Sequence, residues 1–200
     1  MRPFASLIPP VNVSAGTLIT SVLAAWLLAA IALSATGLLA TLHPPAPQVI
    51  ILVLTLTSLA VAKWIPSLRT SIDRADPRVL VVLHVSRLVV GIAFLVLAAR
   101  GGLPTAFALP AGYGDIAVGL AATALICSVR PSSASSRTLY RAWNICGLAD
   151  ILFVVANAAR IGLTAPASMA PLLHPPLSLL PTFLVPLIIT THVLLFRRLR

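Results

Sequence analysis

Seven residues that could do chemistry stand inside long apolar runs: His84, Arg87, Asp115, Asn144, Asp150, Asn157 and His192. A charge placed in a bilayer costs roughly 2.5–3.5 kcal/mol on insertion scales, so it normally faces other helices and finds a partner there. The chain has only four acidic residues, all Asp, and two of them, Asp115 and Asp150, are in these runs. His84 and Arg87 are one helical turn apart and so share a face. Such a set could bind or pass a small ionic solute or a proton. Arg87 would hold an anionic group or balance the carboxylates, while Asp115 and Asp150 would titrate or hold a cation. His84 and His192 would gate or relay protons. The same residues could instead form an ion-pair lock that serves assembly alone, as in a structural or regulatory subunit.

Other chemistry is less well supported by the pattern. There is no HExxH, no phosphate-binding glycine loop and no Ser-His-Asp motif, so an enzyme is not the expected class. His84 and His192 could ligate a haem b, which makes a redox membrane subunit the alternative function; otherwise no cofactor and no metal site is expected. Leu-His-Pro-Pro occurs at Leu42–Pro45 and again at Leu173–Pro176, but two histidines without a carboxylate or thiol make a poor metal site. Ala111–Asp115 reads AGYGD, close to the TVGYG filter of potassium channels followed by Asp. Pro110 and Ala111 stand where that filter has Thr and Val, and too few residues follow before Arg130 for an inner helix.

The elements that must position these residues are membrane helices. The chain is 59% hydrophobic and 9% charged, against about 25% charged in a soluble domain. Two hundred residues cannot hide that much apolar surface in one core, so the bilayer has to be the solvent. At roughly 20 apolar residues per crossing, six spans emerge in a single membrane domain covering residues 1–200. They are predicted at Thr17–Leu42, Pro47–Trp64, Val79–Ala99, Thr105–Val129, Leu139–Leu163 and Leu177–Leu199. The first is far longer than the ~7–15 apolar residues of a signal peptide and reads as a retained span. Cys127 and Cys146 fall in apolar runs and read as small buried residues.

The net charge of +10 is not a nucleic-acid signal, because no aromatic-interleaved basic patch accompanies it. It follows the gaps between spans. Arg2, Lys63, Arg69, Arg74, Arg78, Arg130, Arg137, Arg141, Arg197, Arg198 and Arg200 fall on one side, and Arg100 and Arg160 on the other. Eleven against two puts both termini in the cytoplasm by the positive-inside rule, facing anionic lipid. The expected fold is therefore an all-α, polytopic bundle of about six transmembrane helices with cytoplasmic termini. Membrane lipids are its expected partners, nucleic acid is not, and a homo-oligomer stays open.

Depth brings the charges together. From a rise of ~1.5 Å per residue, Arg87 and Asp150 each lie about 12–14 Å from the cytoplasmic ends of their helices. His84 and His192 lie about 8 Å in, and Asp115 is near mid-membrane within reach of an Arg side chain. Gly112, Asp115, Gly119 and Ala122 form one stripe, and Asn144, Gly147 and Asp150 another with Asn157 on the same broad face. Small residues beside polar ones suit closely packed membrane helices. The polar site is expected between spans three and six.

The stretches HVSRLVVGIAFL, GGLPTAFALPAGYGD, RAWNICGLADI and LPTFLVPLIITTH together resemble an uncharacterised family of bacterial multi-spanning membrane proteins. The family pattern reads R-x3-G, then G-x-LP-x-x-FALPAG-x-GD, then WN-x2-G-x2-D, then P-x-F-x-VP with a following His. It falls here on Arg87 and Gly91; on Gly102 to Asp115; on Trp143, Asn144, Gly147 and Asp150; and on Pro181, Phe183, Val185, Pro186 and His192. The first two spans add nothing to it. The resemblance implies a multi-pass protein of the bacterial inner membrane and a candidate site, without a reaction.

Overall fold

The computed structural model describes residues 15–129 and 131–199; Arg2, Arg130 and Arg200, counted above for topology, lie outside the described residues. Every regular element among the described residues is helical. The order is α1 (Ala15–Ala35), a 3-10 turn (Leu38–Thr41), α2 (Ala46–Trp64), α3 (Pro66–Arg74), α4 (Pro77–Val82), a 3-10 turn (Leu83–Val85) and α5 (Ser86–Ala99). Then come α6 (Thr105–Ser128), α7 (Ala134–Thr164), α8 (Pro166–Met169), a 3-10 turn (Ala170–Leu173), a π-helical turn (Leu180–Leu184) and α9 (Val185–Arg198). Six stretches are long and apolar enough to cross a membrane: Gly16–Ala35, Ala46–Trp64, Pro77–Ala99, Thr105–Ser128, Ala134–Thr164 and Leu180–Arg198.

Two boundaries differ from the sequence expectation for clear reasons. The first span stops at Ala35 and not Leu42. Gly37 takes a left-handed φ of 72°, which a side chain would oppose, and Leu38–Thr41 turn back as a 3-10 segment. Between the second and third spans lies α3, a polar helix that hydropathy alone does not reveal, started by Pro66 at its first turn.

The third and fourth spans touch backbone to backbone. A Cβ on Gly91 would lie 2.6 Å from the Gly112 carbonyl oxygen, and one on Gly119 would lie 3.0 Å from the Leu88 nitrogen. Small residues at this crossing let α5 and α6 pack without a layer of side chains between them. That closeness brings Asp115 against α5.

Prolines inside the spans leave carbonyls without their helical donor, and side chains from other helices replace it. Pro110 lacks the N–H that Ala106 would receive, and Asn157 Nδ2 donates to the Ala106 carbonyl at 3.0 Å. Pro186 does the same to Thr182, and Trp26 Nε1 donates to that carbonyl at 2.9 Å. Ser34 and Ser178 share a short hydroxyl contact beside it. Through these two contacts α1, the least buried of the six candidate spans, is fastened to the start of the most buried one.

The basic residues collect at one end of the bundle. Arg198 donates to the Ala75 carbonyl at 2.6 Å, Arg78 to that of Ile126 at 3.2 Å, and Arg141 to that of Leu199. Arg69 and Arg197 reach Asp73 at 3.8 and 4.0 Å. Tyr140 closes this end, fully buried, with its hydroxyl donating toward the Leu125 and Val129 carbonyls that finish α6.

Cys127 and Cys146 are free and exposed on the outside of the bundle, not buried. The outer face of this bundle is as apolar as its core, so an apolar neighbourhood in sequence does not tell which way a side chain points. Ala111–Asp115 is continuous α-helix, with Tyr113 on the outer face at 63% exposure. Its carbonyls run along the helix axis and cannot line a filter.

Candidate functional site

Arg87 is the largest fully buried side chain among the described residues. Each nitrogen of its guanidinium has its own acceptor, one on α6 and two on α7. Nε donates to Asp115 Oδ1 at 2.6 Å, Nη1 to the Gly147 carbonyl at 3.1 Å, and Nη2 to Asp150 Oδ2. Asp115 is 2% exposed and Asp150 is part-buried. Arg87 therefore ties α5 to α6 and α7 through charge-assisted hydrogen bonds. One guanidinium faces two carboxylates, so with both ionised the cluster carries one unbalanced negative charge.

A layer of aromatic rings lies next to this cluster on the side of the basic end. The His84 and His192 rings pack at a 52° tilt with centroids 4.2 Å apart. Trp143 stands edge-on to His84 at 5.0 Å and donates its indole N–H to the Val118 carbonyl at 3.1 Å. His192 Nδ1 is 2.7 Å from Asn144 Oδ1, while Asn144 Nδ2 donates to the His192 carbonyl at 3.1 Å. An amide oxygen only accepts, so His192 carries its proton on Nδ1 and a bare lone pair on Nε2. That Nε2 is buried without a partner, as is His84 Nδ1. His84 Nε2 meets the Thr191 hydroxyl at 3.1 Å. A Cβ on Gly147 would sit 2.7 Å from His192 Cε1, so the imidazole edge lies against the residue whose carbonyl holds Arg87.

On the opposite side of the cluster a cavity of about 370 Å³ opens. Arg87 and Asp115 form its polar floor; Ile51, Phe94, Phe107 and Val154 are among its apolar walls. Leu42, His43 and Pro44 meet Ala170, Leu172 and Leu173 around its mouth. Leu42, His43 and Pro44 of the first Leu-His-Pro-Pro segment and Leu173 of the second therefore line one cavity.

Of the sequence-derived candidates, the structure brings His84, Arg87, Asp115, Asn144, Asp150 and His192 together. Asn157 is elsewhere. Its amide holds the Ala106 carbonyl and its Oδ1 accepts from Arg160 Nη2 at 2.9 Å. The second span, given no part in the site by the sequence reading, supplies cavity walls through Pro47, Gln48 and Ile51. Gln48 was legible as an amide at the start of an apolar run; its buried Oε1 has no partner. The two histidine rings pack on each other, whereas axial haem ligands must sit on opposite faces of one iron with the macrocycle between them. This arrangement does not fit a haem held by that pair. Among the described residues no group of three or more His, Cys, Asp or Glu is placed to hold a metal ion.

The chain belongs to the family defined as Domain of unknown function (DUF8737), whose model matches residues 44–200. All six clustered residues and the four stretches quoted for the resemblance fall within that match, as does the second candidate span; α1 falls outside it. No curated protein and no solved structure matches the chain.

Proposed function

We propose that this is a multi-pass protein of the bacterial inner membrane that binds a small solute in the cavity and passes it with, or in exchange for, a proton at the Arg87–Asp115–Asp150 cluster. The observation that carries the reading is the cavity of about 370 Å³ that ends on two ionisable side chains, Arg87 and Asp115. Ligand pockets are typically about 300–1,000 Å³, mostly apolar, with a few polar groups that fix orientation. The surplus carboxylate charge supplies a place for one proton or monovalent cation, and the bare Nε2 of the adjacent His192 is a further acceptor. Segregation of basic residues to one end supports a cytoplasmic position for that end and an external mouth for the cavity. A reporter fused to the C-terminus should read cytoplasmic; an external reading overturns this orientation.

The contrasting reading is a purely structural lock, favoured by the engagement of all three Arg87 nitrogens. Purified protein in liposomes with an internal pH dye separates the two. The proposal expects proton flux driven by a solute gradient in the wild type, and its loss in Asp115→Asn with normal assembly. If the wild type neither binds nor moves any of a panel of small ions, carboxylates and amines, and the variant differs only in stability, the lock is the right reading.

A further inference from the structure

The cavity also says what kind of solute fits it. Resting on the functional reading above, we infer that the site takes a small lipophilic amine carrying one positive charge, with its ammonium head at Asp115 and its apolar body along the cavity wall.

Charge decides the head group. Arg87 looks like an anchor for an anion, but its Nε, Nη1 and Nη2 already donate to Asp115, Gly147 and Asp150. An anionic head brought to this floor meets two carboxylates and one occupied guanidinium. A cationic head meets one unbalanced negative charge in a low-dielectric setting, where that attraction is strong. Asp115, and not Asp150, is the carboxylate that lines the cavity.

A second observation points the same way. Gln48 lines the cavity, and its Oε1 is buried without a hydrogen-bond partner. An amide oxygen can be satisfied only by a donor. An ammonium N–H supplies one; a carboxylate does not. The walls next to this floor include Ile51, Val90, Phe94, Phe107, Ile151 and Val154, which suit an alkyl or aryl body and offer a bare inorganic cation no ligand atoms. Such an ion also lacks a sufficient ligand set, since no group of three metal-ligating side chains is found among the described residues.

Proton exchange follows from the same count. The ionisable groups facing the cluster are Arg87 from α5, Asp115 from α6, Asp150 from α7, His192 from α9 and His84 from the turn before α5, with His43 at the mouth. A proton and an ammonium compete for the one surplus charge, so an amine that binds the protonated cluster displaces its proton.

The test uses the full chain in lipid nanodiscs, empty nanodiscs as the control for partitioning, and three matched probes: hexylammonium, hexanoate and hexanol. Calorimetry should give hexylammonium an affinity at least about tenfold above hexanoate. Asp115→Asn should abolish that preference, and Gln48→Leu should weaken amine binding while leaving the preference over hexanoate. Equal binding of hexanol and hexylammonium overturns the inference but leaves a solute-binding cavity. Tighter binding of hexanoate, a preference unchanged in Asp115→Asn, or amine affinity unchanged in Gln48→Leu also overturns it. If none of the three binds above the empty-disc control, the inference and the cavity reading both fall. Thermal melting of both variants shows that a lost signal does not come from lost folding.

Discussion

Two polar regions of this bundle follow opposite rules. Around Pro110 and Pro186, the donors of Asn157 and Trp26 meet carbonyls that proline has left without a partner, and none of those atoms remains buried and unpaired. Around Arg87 the pairing is incomplete by design of its composition. Two carboxylates share one guanidinium, and His84 Nδ1, His192 Nε2 and Gln48 Oε1 have no partner. Contacts that only hold helices together end when their atoms are satisfied. A site has polar atoms left over, and three of the six buried side-chain atoms without a partner among the described residues, His84 Nδ1, His192 Nε2 and Gln48 Oε1, lie beside the cluster or in the cavity wall.

The largest effect should come from breaking the centre of that layer. Arg87→Leu leaves Asp115 and Asp150 buried without a counter-charge. Loss of one partner from a buried pair costs ~3–5 kcal/mol in soluble proteins. The variant should melt far below the wild type in detergent or fail to accumulate in the membrane. Unchanged melting and expression would show that Arg87 is not the buried counter-ion of these carboxylates.

How far this contrast could be read from sequence depends on which physical property was being used. Depth along a helix is linear in residue number, so the meeting of Arg87 with Asp115 and Asp150 followed from counting inward from the basic loops. Apolar length likewise located six stretches that overlap the six long apolar helices of the structure, although the first ends at Ala35 and not Leu42 and the fifth begins at Ala134 and not Leu139. Direction around a helix is harder when the outside is apolar too. Cys127 and Cys146 look like core residues in sequence and point outward, and Asn157 looks like part of the site but serves the carbonyl freed by Pro110. The Gly37 turn and α3 are local backbone events inside a hydropathy profile that averages them away. Gln48 joins the cavity only because α2 packs beside α9, a tertiary fact with no periodic signature.

The satisfied region should respond more mildly. Asn157→Leu removes the donor to the Ala106 carbonyl while keeping the volume. Hydrogen bonds between membrane helices average about 0.6 kcal/mol and reach about 1.7, so a loss of this size is expected. It should appear as a small drop in unfolding midpoint, with the affinity of the cavity for its probe unchanged. A loss of affinity without a drop in stability would move Asn157 from the structural region into the site.

The smallest effect on folding, and the sharpest on chemistry, belongs to Asp150→Asn. The asparagine is close in shape and its amide oxygen can still accept from Arg87 Nη2. The change removes the surplus negative charge and leaves one guanidinium against one carboxylate, the matched condition of an ordinary buried pair. Stability should therefore stay within about 1 kcal/mol of wild type, because no counter-charge is lost and one uncompensated charge leaves the low-dielectric interior. What should disappear is the capacity to take up a proton within this cluster. Infrared titration of the protein in lipid should show a carboxylate of the wild type converting to its neutral acid as pH falls, and Asp150→Asn should lack that conversion while Arg87–Asp115 stays intact. If Asp150→Asn instead destabilises the bundle as strongly as Arg87→Leu, the second carboxylate is part of the lock and the leftover charge has no chemical role. If the variant is stable and the protonation signal survives, the proton resides elsewhere, and His84 and His192, with their bare nitrogens beside the same cluster, become the groups to vary next.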